Sequence, residues 1–189
     1  MATGASVVKR YELANREERV ELLIENYGCF DDILDIELIT IENRIKEEYM
    51  YRRFTGTEEL GVRVQTSSHG SPTEAKAIVS MEIEAALESH DFTNIIFKDI
   101  AGMDEIRRDL YTLELMKMDF LVFKKQVRVL KAPERNAVER FYGDGVDLRT
   151  LAEEQVIDYD SVRKRLRQAR THLKNNMFIY WEGTKRRAI

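Results

Sequence analysis

From Met103 to Leu130 an apolar residue falls at every third or fourth position: Met103, Ile106, Leu110, Leu113, Met116, Phe120, Phe123, Val127 and Leu130. A strand alternates its faces every second residue and cannot align such a set. An α-helix turning every 3.6 residues can. The spacing therefore predicts one helix about 40 Å long with an unbroken apolar seam. Such a seam must be covered, either by other helices of the same chain or by a helix of another chain. The Phe and Met residues in it suit a core better than a strict coiled coil, where Leu, Ile and Val serve. The expected fold class is all-α, with an N-terminal region of long helices.

The flanking sequence is consistent with this. The spacing of Val20, Leu23, Ile24 and Tyr27 predicts a first helix over VVKRYELANREERVELLIENY, closed by Gly28. FDDILDIELITIENRIKEEYMYRRF predicts a second, with Leu34, Leu38, Ile41 and Ile45 on one face, widened by Ile36 and Ile39. Between Thr55 and Gly70 no apolar period persists, and a mobile loop is expected in preference to the short strand LGVRVQ. SPTEAKAIVSMEIEAALESH opens with Ser71 as N-cap, Pro72 in the first helical position and Glu74 completing a capping box. Only two prolines interrupt 189 residues. Cys29 is the sole cysteine, which excludes an intrachain disulfide and suits a reducing compartment. No apolar run follows a basic start, and none reaches the roughly 18 residues of a membrane span. A soluble, cytoplasmic protein without membrane contact is expected.

Charge divides the chain. Residues 1–130 hold 17 basic and 25 acidic side chains, a balance of −8, whereas residues 131–189 hold 13 and 9, a balance of +4. The division expected is an N-terminal helical region over 1–130, serving oligomerisation or partner binding, and a second domain over 131–189 with an anionic partner. In the latter, Pro133 starts a helix whose apolar face is Ala137, Val138, Phe141 and Tyr142, ended by Gly143 and Gly145. Asp147 caps LRTLAEEQ, and Asp158 caps YDSVRKRLRQARTHLK. In the last helix Val162, Leu166, Ala169 and Leu173 form a buried stripe. Its other faces carry Arg163, Lys164, Arg165, Arg167, Arg170 and Lys174, and between Tyr159 and Lys174 the one acid is Asp160. A solvated helix usually mixes signs; this one does not.

Two helices joined by the three residues Val156, Ile157 and Asp158, the second of them basic, describe a helix-turn-helix. Such a motif places the start of its second helix in the major groove of duplex DNA. Tyr159, Asp160, Arg163, Lys164 and Arg167 would then face base edges, where Arg can make a bidentate contact with guanine. Arg165, Arg170 and Lys174 are better placed for phosphates.

The stretch APERNAVERFYGDGVDLRTLAEEQVIDYDSVRKRLRQARTHL resembles the C-terminal promoter-reading domain of sigma factors (region 4). Nothing before Lys131 resembles the sigma segment that grips RNA polymerase. With SPTEAKAI and the acidic helical N-terminal half, the chain looks more like the ArpU and RinA group of phage regulators. Those proteins switch on late genes in phages and prophages of Gram-positive bacteria. The resemblance implies a sigma-like helix-turn-helix, double-stranded DNA as partner, and a bacterial host cytoplasm. It leaves open whether host RNA polymerase is touched directly. The sequence departs from the sigma pattern in the turn. Val156 stands where Gly is usual, and Gln155 where an apolar residue is usual. The Val suggests either a turn with no need of positive φ or a tilted recognition helix.

No catalytic set assembles. His69, His90 and His172 lie far apart with no metal-ligand spacing, and no phosphate-cradling glycine loop is present. No enzyme, cofactor or metal is expected. Lys185, Arg186 and Arg187 fit phosphate contacts or an unordered tail equally, whereas Phe178, Tyr180 and Trp181 are expected to pack the helix end onto the domain. The leading expectation is a sequence-specific DNA-binding regulator that activates late or packaging genes. The alternatives are a small-terminase-like DNA-packaging subunit and a sigma-like module binding RNA polymerase. Because one helix-turn-helix reads few base pairs, a homo-oligomer is expected, most simply a dimer, with the Met103–Leu130 seam contributing to its interface.

Overall fold

The computed structural model describes residues 4–55, 80–86, 89 and 102–185. Among these the structure is all-α, without a strand. The helices are α1 (Gly4–Leu13), α2 (Arg16–Glu25), α3 (Phe30–Thr55), α4 (Met103–Val129), α5 (Ala132–Val138), α6 (Leu148–Gln155) and α7 (Tyr159–Lys185). A wide turn, Glu139–Gly143, prolongs α5. There the Asp144 amide reaches back five residues to the Glu139 carbonyl (2.9 Å). Residues 80–86 are also helical. The Ser71 capping box, the 55–70 loop (beyond Thr55), His69, His90 and the tail from Arg186 lie outside the described residues. No helix among those described is long and apolar enough to cross a membrane.

Contacts group the chain into two compact units, residues 1–37 with 111–189, and residues 38–110. The second unit buries Ile41, Ile45, Ile83, Ala86, Met103, Ile106 and Leu110. Within it Arg44 on α3 bonds Asp109 of α4 at 2.7 Å.

The first unit carries the basic helix. Where apolar spacing predicts a single helix over residues 7–27, the structure breaks it at Ala14 and Asn15. The cause is a capping box: the Glu18 amide donates to the Asn15 side chain (3.0 Å), and the Asn15 amide donates to the Glu18 carboxylate (2.8 Å). Two otherwise orphaned donors are satisfied by starting a new helix there. Val20, Leu23 and Ile24 are buried as expected. On α3 the buried line is Phe30, Ile33, Glu37, Ile41 and Ile45, while Ile36, Leu38 and Ile39 are exposed. The expected face is thus rotated. Phe30 and Ile33 enter the core ahead of Leu34, and that sets the phase of the helix.

All nine residues of the Met103–Leu130 seam are buried within the single chain. The seam is core, and it is not available as the dimer surface expected from it. Aromatic rings fill its middle. Phe30 and Phe120 lie 4.5 Å apart, and Tyr27 meets Phe120 and Phe123 edge-on at 6.1 and 5.9 Å. Between these rings and the end of α7 sits a buried carboxylate, Asp119, 2% exposed. One oxygen accepts from the Tyr11 hydroxyl (2.8 Å) and the other from the Trp181 indole (2.8 Å). Trp181 therefore packs the end of α7 onto the unit, as the sequence predicts.

Two approaches fix the remaining helices. The Gly28 amide donates to the Tyr142 carbonyl (3.1 Å). A Cβ on Gly28 would stand 2.3 Å from the Gly143 oxygen and 2.8 Å from the Tyr142 oxygen. Gly28 thus lets two backbones touch. Glu134 of α5, also buried, meets His172 of α7 at 2.9 Å.

Burial pushes the Asp119 carboxyl above the usual range, against the pull of its two donors and of Arg19 and Arg16. Asp119→Ala strands two buried donors and should cost roughly 2–4 kcal/mol in urea unfolding followed by Trp181 fluorescence. Asp119→Asn keeps one acceptor and should lose less. The raised native value means the protonated form favours the fold. The stability of the wild type relative to Asp119→Asn should therefore fall as pH rises from the usual carboxylate range through the raised value. Separately, Gly28→Ala should destabilise by about 1–3 kcal/mol, because backbone must shift to admit the methyl.

Candidate nucleic-acid interface

Helix α6 begins at Asp147, whose carboxylate accepts from the Arg149 amide (2.8 Å), the Thr150 amide (3.1 Å) and the Thr150 hydroxyl (2.8 Å). Helix α7 begins after Asp158, which accepts from the Ser161 amide (2.8 Å) and hydroxyl (2.7 Å). Both caps are where the sequence predicts them. The Thr150 and Ser161 bonds hold these carboxyls below the usual range, so both stay ionised at the positive ends of their helices.

Between the two helices Val156 adopts φ 54, ψ 46, in the left-handed region. It is the one non-Gly residue with positive φ among those described. Of the two possibilities the Val raised, a turn without positive φ is excluded. The geometry is that of the glycine turn, imposed on a β-branched residue. The Ile157 amide closes the turn by donating to the Ala152 carbonyl (3.0 Å). Gln155 has a bracing role that an apolar residue could not fill. Its carbonyl accepts from Arg165 (2.6 Å) and its amide donates to Asn136 (2.9 Å), linking α5, α6 and α7. Arg140 adds a two-pronged bond to Glu154 (2.8 and 3.0 Å).

The buried line of α7 is Val162, Leu166, Ala169, Leu173, Met177 and Trp181. Tyr159, Asp160, Arg163, Lys164 and Arg167 are exposed, with Asp160 and Lys164 the most nearly opposite that line. At about 100° per residue, Arg163, Lys164 and Arg167 share roughly 100° of arc. No ion pair engages these three among the described residues.

The other basic residues are placed differently. Arg165 is half-buried against Gln155. Arg170 bonds Glu21 of α2 and the Tyr142 hydroxyl (3.3 Å). Lys174 meets Glu17 at 3.0 Å and also pairs with Glu21. For Glu21 burial acts upward, but the bonds from Lys174 and Arg170 outweigh it and bring the carboxyl below the usual range. Lys174 is raised, chiefly by its bond to Glu21. The α2 carboxylates were not legible as part of this surface, because they lie some 150 residues from their partners. Only folding brings them together.

Among the described residues no group of three or more His, Cys, Asp or Glu is arranged to hold a metal ion. Comparison with family models, curated proteins and solved structures gives no match to this chain.

Val156→Gly should relieve roughly 1–2 kcal/mol of left-handed strain and return part of it as backbone entropy. The side chain is 89% exposed, so little packing is lost. A net gain below about 1 kcal/mol is expected in thermal unfolding.

Proposed function

We propose that the protein is a sequence-specific double-stranded DNA-binding transcriptional regulator, reading the major groove through α7 of a sigma-like helix-turn-helix. The observation that carries this reading is the placement of Arg163, Lys164 and Arg167. They lie together, exposed, on the opening turns of a helix whose buried side and tight N-terminal turn are braced. A recognition helix needs this combination: rigid support, so that side chains meet base edges in register, and cations with no protein partner. Arg163 and Lys164 face bases, and Tyr159 lies beside them. Asp160, exposed on the same opening turn, would accept from a cytosine amine. Arg149, exposed on the first turn of α6, supplies a phosphate contact from the helix that crosses the backbone.

The ArpU- and RinA-like character of the sequence makes late or packaging genes of a phage or prophage the proposed target. Host RNA polymerase is a second proposed partner of the same domain. Two copies acting on adjacent half-sites would supply the specificity that one short helix lacks. Any pairing surface lies elsewhere than the buried seam.

Binding to a genomic-fragment library at stepped salt tests this. Affinity for duplex should fall steeply as salt rises, by about 0.9 in log–log slope per phosphate neutralised. Arg163→Ala and Lys164→Ala should each relax sequence choice by about 1–3 kcal/mol. Arg149→Ala should weaken all sequences alike. A flat salt response, or a preferred site insensitive to Arg163 and Lys164, would overturn the proposal.

A further inference from the structure

Arg163, Arg167, Arg170 and Lys174 follow one another at intervals of four, three and four along α7. At 1.5 Å per residue they make a single cationic stripe about 16 Å long. Its two halves have different surroundings. Arg163 and Arg167 are exposed. Arg170 and Lys174 pair with α2, which sets Glu21 against both and Glu17 against Lys174, although the Arg170 side chain stays 39% exposed. Lys174 and Glu21 are each about a quarter exposed, so this contact is partly desolvated. It borders an open groove of about 420 Å³ along α1 and α2, lined by Arg10, Leu13, Glu17, Glu21 and Lys174 among others. The pairs are therefore within reach of a competing anion.

We propose that Glu17 and Glu21 are an internal competitor for the DNA backbone: their carboxylates occupy the positions that phosphates would take against Arg170 and Lys174. The chemistry of the two partners is the same. A carboxylate and a phosphodiester each offer anionic oxygens to an ammonium or guanidinium. The tethered carboxylates have the advantage of being present without loss of translational freedom. While they hold, the duplex is read by the first half of the stripe alone, and sequence-independent affinity is kept low. Where they release, the footprint lengthens by two cations. The arrangement favours selectivity, because phosphate contacts strengthen every sequence equally whereas base contacts do not.

This inference rests on the DNA-binding reading, and one experiment separates the two. Full-length wild type, Glu17→Gln/Glu21→Gln and Arg163→Ala/Lys164→Ala are titrated against a 25-base-pair duplex at several salt concentrations. Gln keeps the shape and one acceptor while removing the charge, so the fold should survive. Thermal melting and Trp181 fluorescence check that it does. The Gln variant should bind more tightly at low salt, with a log–log salt slope steeper by about 1–2. Between 50 and 200 mM salt its affinity should therefore drop about tenfold further than that of wild type. An unchanged affinity and slope in the folded variant, with wild-type binding salt-dependent and weakened by the Arg163/Lys164 change, overturns the competitor and leaves DNA binding standing. Absence of salt-dependent binding by wild type overturns the DNA reading and the competitor with it. If the double variant does not fold, Glu21→Gln decides on the same criterion, because Glu21 meets both cations. The Glu21 side chain is about a quarter exposed, and Gln keeps its shape, so the core is little affected. A slope steeper by up to about 1 supports the competitor, and an unchanged slope overturns it.

Discussion

The Asp119 carboxylate receives one hydrogen bond from the third turn of α1 and one from the penultimate turn of α7. That meeting ties α1, α4 and α7 of the first unit together. A carboxylate 2% exposed is costly unless its lone pairs are used, and an indole N–H and a phenol buried nearby are costly unless they find an acceptor. Each group removes the penalty of the others. The result joins the two ends of the chain to the middle of α4, across sequence separations of 108 and 62 residues. Apolar packing alone would let α7 slide along its stripe of Val, Leu, Ala and Met. A directional bond at Trp181 fixes where it stops.

That anchoring bears on the opening turns of α7, where the proposed DNA contact lies. The helix runs unbroken from Tyr159 to Lys185. Its far end is locked by Trp181, its middle by Glu134–His172 and Arg170–Glu21, and its start by the Asp158 cap and the Arg165–Gln155–Asn136 chain. Side chains on the first turns are consequently presented by a rigid body. Val156 serves the same end. The chain accepts a β-branched residue at positive φ because the Ala152 carbonyl and the two helix caps determine the turn from both sides.

What was legible in the sequence is what local physics decides. The seam, the Asp147 and Asp158 caps and the buried stripe of α7 depend on spacings of at most four residues. The break at Asn15 is just as local, since NREE carries a capping box, but apolar spacing alone runs through it. Less legible was the phase of α3, where Leu34 and Ile33 compete for the core and Phe30 decides. The surroundings of Arg165, Arg170 and Lys174 were not legible. A base on a helix surface looks the same in sequence whether it faces solvent or a carboxylate brought up from α2. Gly28 reads as a helix stop. In the structure it is a point of contact with Tyr142 and Gly143, which only the tertiary arrangement reveals.

A net charge of −4 would argue against a nucleic-acid partner if charge acted as a sum. At physiological ionic strength it does not, because fields from exposed groups decay over about 8 Å. A phosphate approaching Arg163 responds first to Lys164 and Arg167, its exposed neighbours on α7. Nearest-neighbour geometry therefore decides, and it divides α7 in two. The α2 carboxylates lie against Arg170 and Lys174, about one and a half helical turns or more beyond Lys164, the last base-facing residue of the first two turns. The acidic N-terminal half thus does two things at once. Through Glu17 and Glu21 it binds α7 into the unit, and by the same pairs it competes with an outside anion for two cations. Stability and restraint of the basic surface thus draw on the same ion pairs, Glu21 against both cations and the more exposed Glu17 against Lys174.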